Sequence, residues 1–169
     1  QKLGVNVLFY ALLFIVAGST ITGWIGSLQN IGNEFSFWIG NQGLEFTSMG
    51  RVWQILLFVG LLIWVTLLGR GLWPALKKPS ESRGLIAMVF LSALCIGGFY
   101  ATSLAWGRHT HYSMIEYWRW WLVHLWVEGF FEVFATAVMA LIFTRLGLIK
   151  TSTATVAVLF ATIIFMAGG

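Results

Sequence analysis

Long apolar runs separated by short polar segments dominate this chain. A helix needs about 20 mostly apolar residues to cross a lipid bilayer, and five runs are of that order. They cover residues 4–26, 52–69, 84–107, 117–145 and 152–169. The pattern predicts an all-α fold, a polytopic bundle of transmembrane helices in which the chain forms part of one transmembrane domain.

The composition is that of a protein surrounded by lipid. Charged residues make up 9% of the sequence, whereas a soluble domain has about 25%. Ten tryptophans agree with this, because Trp collects at membrane interfaces. The net charge of +4 does not indicate a nucleic-acid partner, since the basic residues cluster at the ends of the apolar runs. The single cysteine, Cys95, cannot form an intrachain disulfide.

The positions of Lys and Arg predict the orientation in the membrane. If the helices alternate in direction, Arg51, Arg108 and Arg119 fall on one side and the remaining basic residues on the other. The side with more positive charge is expected to face the cytoplasm. The outer side then carries two loops, residues 27–50 and the segment near 107–116.

Two prolines flank the predicted cytoplasmic loop after the second apolar run. Proline lacks a backbone N–H, and its ring clashes with the preceding helical turn. Pro74 and Pro79 are therefore predicted to break helix continuity at this loop.

Three ionisable side chains share one face of the fourth predicted helix. His124, Glu128 and Glu132 are spaced by four, so they are neighbours on an α-helix, with a drift of about 40° per step. An acidic residue at the centre of a spanning helix costs about 2.5–3.5 kcal/mol, so such residues normally face a cavity, a partner or a metal. Imidazole and carboxylate donors suit iron better than Cu(I).

Two other interpretations of these side chains stay open on the residues alone. A buried histidine is more often simply hydrogen-bonded than a metal ligand. Carboxylates on one helix face are also typical of a proton or ion pathway in a transporter.

The sequence around these residues resembles a known family. Residues 117–129, Tyr-Trp-Arg-Trp-Trp-Leu-Val-His-Leu-Trp-Val-Glu-Gly, closely resemble the corresponding helix of nitric oxide reductases in the haem-copper oxidase superfamily. The flanking stretches, His-Thr-His-Tyr-Ser at 109–113 and Phe-Phe-Glu-Val-Phe-Ala-Thr at 130–136, resemble the quinol-dependent branch. Further agreement lies in residues 1–7, 40–46 and 50–54.

The resemblance implies a role for each of four acidic or histidine residues. It makes His124 and Glu128 ligands of a non-haem iron, where the oxidases of the superfamily bind copper and carry a tyrosine at the position of Glu128. Glu132 would assist catalysis by hydrogen bonding or proton delivery. Glu45 would lie near the haem propionates or a calcium ion. Relatives often carry a second acidic residue shortly after this Glu, and Thr47, Ser48 and Met49 follow here instead.

The resemblance also implies a reaction and partners beyond these residues. Two NO, two electrons and two protons would give N2O and water, with quinol as the electron donor. Low-spin and high-spin haem b would be held by helices outside the chain. The chain begins at Gln1 and stops at Gly169 within an apolar run, so we expect an internal part of a longer polypeptide, with two further iron histidines shortly after its end. The expected location is a bacterial or archaeal cell membrane, and a homodimer is left open.

Three rival functions are compatible with parts of the pattern. The cytochrome c-dependent branch shares the central helix, and the His-Thr-His stretch argues against it. A proton-coupled transporter could use Glu128 and Glu132 as a relay. A purely structural membrane subunit would leave two carboxylates within a spanning helix unexplained.

Overall fold

The computed structural model describes residues 2–29, 31–45 and 47–168, and within these ranges the regular secondary structure is helical. A single antiparallel bridge pairs Asn41 with Met49. The α-helices are α1 (Lys2–Leu28), α2 (Asn33–Trp38), α3 (Arg51–Lys77), α4 (Arg83–Phe99), α5 (Tyr112–Trp120), α6 (Glu132–Arg145) and α7 (Thr151–Gly168). A 3₁₀ turn, Tyr100–Leu104, follows α4, and a π-helical segment, Trp121–Phe131, joins α5 to α6.

Among the described residues, five helices are long and apolar enough to cross a membrane, which confirms the prediction of an all-helical, multi-pass membrane chain. These candidate spans are Lys2–Gln29, Arg51–Lys77, Arg83–Leu104, Tyr112–Arg145 and Thr151–Gly168. The largest differences from the predicted bounds are at the end of the second span and the start of the fourth, because the helix continues past Arg70 and Glu116, the charged residues that bounded the predicted runs.

Pro74 lies inside α3, so the expectation that it would break the helix is wrong. It sits near the C-terminal end, where only the residues up to Lys77 follow it in the helix. A proline there removes one backbone hydrogen bond and leaves most of the helix undisturbed. Pro79 lies beyond the end of α3, in agreement with the prediction.

The chain divides into two compact units. The first consists of residues 1–64 and 100–120, and here the start of α3 packs closely on α1. The ring of Trp53 fills the space beside Gly18, where a Cβ atom would lie 2.2 Å from the ring carbon Cη2. Its indole N–H donates to the Ile39 carbonyl at 2.8 Å and the Thr22 hydroxyl at 3.1 Å.

The second unit consists of residues 65–99 and 121–169. Its core is formed where α4, α6 and α7 meet. Small side chains are prominent there, and they let helix backbones approach closely in a lipid environment. The buried members are Leu85, Val89, Ala137, Ala140, Ala154 and Val158.

Candidate metal centre

The predicted site residues lie on a helix whose centre is π-helical. His124 and Glu128 both fall within Trp121–Phe131, in the first half of the 34-residue span Tyr112–Arg145. The sequence predicted a regular α-helix here, and the drift of about 40° per step calculated for an α-helix does not apply to these residues. π-Helical turns are rare and occur frequently at functional sites.

The structure brings His124 and Glu128 into direct contact. Nδ1 of the imidazole lies 3.0 Å from Oε2 of the carboxylate. The two side chains are 40% and 46% exposed, whereas Leu122, Val123 and Gly129 of the same segment are buried. The pair therefore lies away from the face by which the segment packs into its own unit.

The separation of the two donor atoms fits a shared metal ion as well as a hydrogen bond. Nitrogen and oxygen ligands lie about 2.0–2.2 Å from a metal ion, so two of them at a right angle are about 3 Å apart. The donor types, one imidazole and one carboxylate, suit iron. Two donors do not complete a site, and the described residues contain no group of three His, Cys, Asp or Glu side chains placed to hold a metal.

Gly129 also belongs to this site, although the sequence indicated no separate role for it. A Cβ atom at position 129 would lie 2.9 Å from the His124 carbonyl oxygen and 2.6 Å from Cε of Met166 in α7. The methionine tip can move aside, but the carbonyl belongs to the backbone of the π segment. The absence of a side chain at 129 thus permits both the π-helical path and the close packing of α7. The only sequence signal was its place directly after Glu128.

Aromatic rings surround the segment within the second unit. Phe99 stacks on Phe130 with ring centroids 5.3 Å apart and an interplanar angle of 11°. The same Phe99 ring lies 6.0 Å from Trp121, and Trp126 meets Phe131 edge to face at 5.1 Å. These ring contacts hold the segment in its own unit.

Glu132 lies apart from the donor pair. It is the first residue of α6, directly after the π segment, and its side chain is exposed. It makes no hydrogen bond or ion pair with other described residues, and it does not join His124 and Glu128 in a group of three donors. These observations do not test whether Glu132 acts on the pair, so its catalytic role stays a prediction.

Glu45 and the two loop histidines belong to the first unit. The Glu45 carboxylate is exposed and lies 3.7 Å from Nη1 of Arg119, which also forms an ion pair with Glu116 at 2.5 Å. His109 and His111 are exposed, and Nδ1 of His111 lies 2.8 Å from the Ser113 hydroxyl oxygen. Glu45 is therefore engaged with an arginine, and its predicted role beside haem or calcium is not tested by these contacts.

No model of a known protein family matches this chain, and comparison with curated proteins gives no match either.

Proposed function

We propose that this chain is part of a quinol-dependent nitric oxide reductase of the haem-copper oxidase type, and that His124 and Glu128 hold its non-haem iron. The observation that carries the proposal is the contact between the two donors. An imidazole nitrogen and a carboxylate oxygen lie 3.0 Å apart on a π-helical turn of a candidate membrane span.

The membrane setting strengthens the argument for a metal. Carboxylates within spanning helices are costly and normally serve a function. An anionic oxygen beside the imidazole offsets the charge of an iron ion and favours iron over Cu(I). Glu128 is therefore the residue that would distinguish this centre from a copper centre.

The packed residues of the π-helical segment would orient the donors. Gly129 and the buried Leu122 and Val123 fix the segment against its unit, which sets the direction of the His124 ring. The stacked rings of Phe99 and Phe130 add apolar contacts that hold the segment in place. When bound, iron would act as a Lewis acid for the charge that develops on the oxygen atoms of NO.

Glu132 is the residue we propose for proton delivery. The reaction consumes two protons, and a carboxyl group that is exposed and one step along the helix from Glu128 can take up a proton and pass it on. Proton transfer by a placed side chain contributes about 10² to 10⁴ in rate.

The remaining cofactors and ligands are proposed to come from outside these 169 residues. The resemblance assigns low-spin and high-spin haem b, two further iron histidines and the quinol site to other parts of the same polypeptide. A calcium ion near Glu45 stays open in this proposal. The enzyme would act in the cell membrane of a bacterium or archaeon.

A proton relay in a transporter is the second candidate function. The contact between His124 and Glu128 favours it too, because a proton can pass between hydrogen-bonded imidazole and carboxylate groups. The two functions differ in the groups that they require, since a relay needs neither haem nor iron.

The test uses the full-length polypeptide that contains this chain, purified in detergent. We expect haem absorption in the visible range, non-haem iron, and N2O formation from NO when a quinol is the electron donor. Turnover with reduced cytochrome c and none with quinol would assign the chain to the cytochrome c-dependent branch. A colourless, iron-free protein that carries protons across vesicle membranes would establish the transporter instead.

A further inference from the structure

A pocket of about 510 Å³ opens in the first unit, where one candidate membrane span begins and another ends. The span of α3 begins at Arg51, and the third span ends at Leu104; both residues line the pocket. Arg108 and His109 add further nitrogen donors, and Ile55 adds an apolar wall. The pocket thus combines basic and apolar side chains at a level where a spanning helix meets the interface.

Arg51 supplies a buried positive charge at this pocket. Its side chain is only 5% exposed, and it donates to the backbone carbonyls of Ser103, at 2.5 Å, and Trp106. The guanidinium carbon also lies 5.2 Å from the ring centroid of Phe37. Among the described residues no carboxylate lies within ion-pair distance of Arg51. Two carbonyl dipoles and the faces of the Phe37 and Trp106 rings compensate the charge without a carboxylate, so an anion is attracted to this end of α3.

Arg108 is the accessible cation of the pocket. It forms an ion pair with Glu34 of α2, and both side chains are open to solvent. Glu34 therefore competes with any anion that approaches Arg108. Arg51 and Arg108 outnumber the single carboxylate of Glu34, so the net charge at the pocket is positive. His109 also lines the pocket.

An apolar stripe continues from the pocket along α3. Ile55, Val59 and Leu62 are all exposed, and their spacing of four and three places them on one helix face. The stripe begins at the pocket wall and extends about 10 Å along the helix axis at 1.5 Å per residue. Trp38, which is exposed at the pocket, is a residue type that favours the interface.

We propose that this pocket binds the anionic headgroup of a phospholipid. The phosphate lies against Arg108, in the field of Arg51, and an acyl chain follows Ile55, Val59 and Leu62. Charge complementarity and the continuous apolar stripe both point to a lipid rather than a soluble anion. The site is independent of the proposed metal centre and belongs to the other unit.

The test measures lipid binding to the purified full-length protein by native mass spectrometry. Dioleoylphosphatidylglycerol is titrated against the zwitterionic dioleoylphosphatidylcholine, and we expect selective retention of the anionic lipid. A single basic residue near a membrane surface contributes about 1 kcal/mol, so Arg108→Gln should weaken retention about five-fold. Glu34→Gln should strengthen it, because it removes the competing carboxylate. Lys78→Gln, which removes an exposed charge far along the sequence, is the matched control and should change nothing.

Three results would overturn the proposal. The first is equal retention of the two lipids, and the second is an Arg108→Gln variant that behaves like Lys78→Gln. The third is displacement of phosphatidylglycerol by an equal concentration of glycerol 3-phosphate, which would show that the pocket takes a free phosphate. If Arg108→Gln does not fold, Arg108→Lys and Glu34→Gln decide the matter, since retention must persist in the first and rise in the second.

Discussion

Gly129 faces the backbone carbonyl of His124 so closely that a Cβ atom at position 129 would lie 2.9 Å from that oxygen. This relationship ties the residue after Glu128 to the position of the histidine five residues earlier. A side chain at 129 must therefore move the backbone that orients the imidazole.

The first prediction follows from this contact. Gly129→Ala should lower stability by about 1–3 kcal/mol, the usual cost of an added methyl group in a packed site, and it should also reduce the iron content. Thermal unfolding in detergent and iron analysis measure the two effects. Gly60→Ala is the matched control, because nothing lies within 4 Å of a Cβ atom there. A Gly129→Ala protein with unchanged stability and iron would show that the close approach is tolerated.

The second prediction concerns Glu128. Glu128→Gln keeps the shape of the side chain and removes the negative charge 3.0 Å from Nδ1 of His124. Mutation of a residue that only hydrogen-bonds a metal ligand typically lowers metal affinity about 10- to 100-fold. Loss of the Glu128 carboxylate itself should lower the iron affinity at least as much. Titration of the iron-depleted protein with Fe(II) measures this change. Unaltered affinity would remove Glu128 from the set of ligands.

The third prediction concerns Glu132. Glu132→Gln removes the titrating group at an exposed position that has no ion pair among the described residues, so the fold should tolerate it. The variant should keep its iron and haems and lose about 10² to 10⁴ in NO turnover, measured as N2O formation. Near-normal turnover would show that Glu132 takes no part in proton delivery. Loss of iron would make it a ligand or the support of one.

The fourth prediction concerns the buried guanidinium of Arg51. Arg51→Met would leave the carbonyl groups of Ser103 and Trp106 without their charged donor. Hydrogen bonds to charged groups contribute about 1.5–3 kcal/mol each, so the unfolding midpoint should fall by several degrees. Lys78→Met, at an exposed position, should leave the midpoint unchanged. Equal midpoints for the two variants would show that the contacts of Arg51 add little to stability.

The sequence predicted the helical architecture well because lipid imposes a simple pattern. Apolar runs of spanning length marked all five candidate spans, and the spacing of His124 and Glu128 predicted that they would meet. The π-helical path was not predicted, because the apolar run around His124 carries no pattern that distinguishes a π-helix from an α-helix. The effect of Pro74 was predicted wrongly because a proline near a helix end breaks few backbone hydrogen bonds.

For the predicted outer loops, the sequence showed which residues are charged but not which residues they contact. The sequence placed Arg51, Arg108 and Arg119 on one side, and the structure places all three in the first unit. It did not indicate that Arg51 is buried against carbonyl groups, or which carboxylates Arg108 and Arg119 contact. The contacts with Glu34 and Glu45 depend on the path of the segment that follows α1, whose polar and glycine residues carry no periodic signal. Glu116, by contrast, is a neighbour of Arg119 on α5.

The most direct test of the central claim is the metal content of a His124→Ala variant of the full-length protein. Iron and haem are measured on the same sample and compared with wild type and with His111→Ala, in which an exposed loop histidine is removed. Our account predicts loss of the non-haem iron in His124→Ala alone, with the haem spectrum largely intact. A His124→Ala protein that keeps its full iron content and its NO turnover would contradict it.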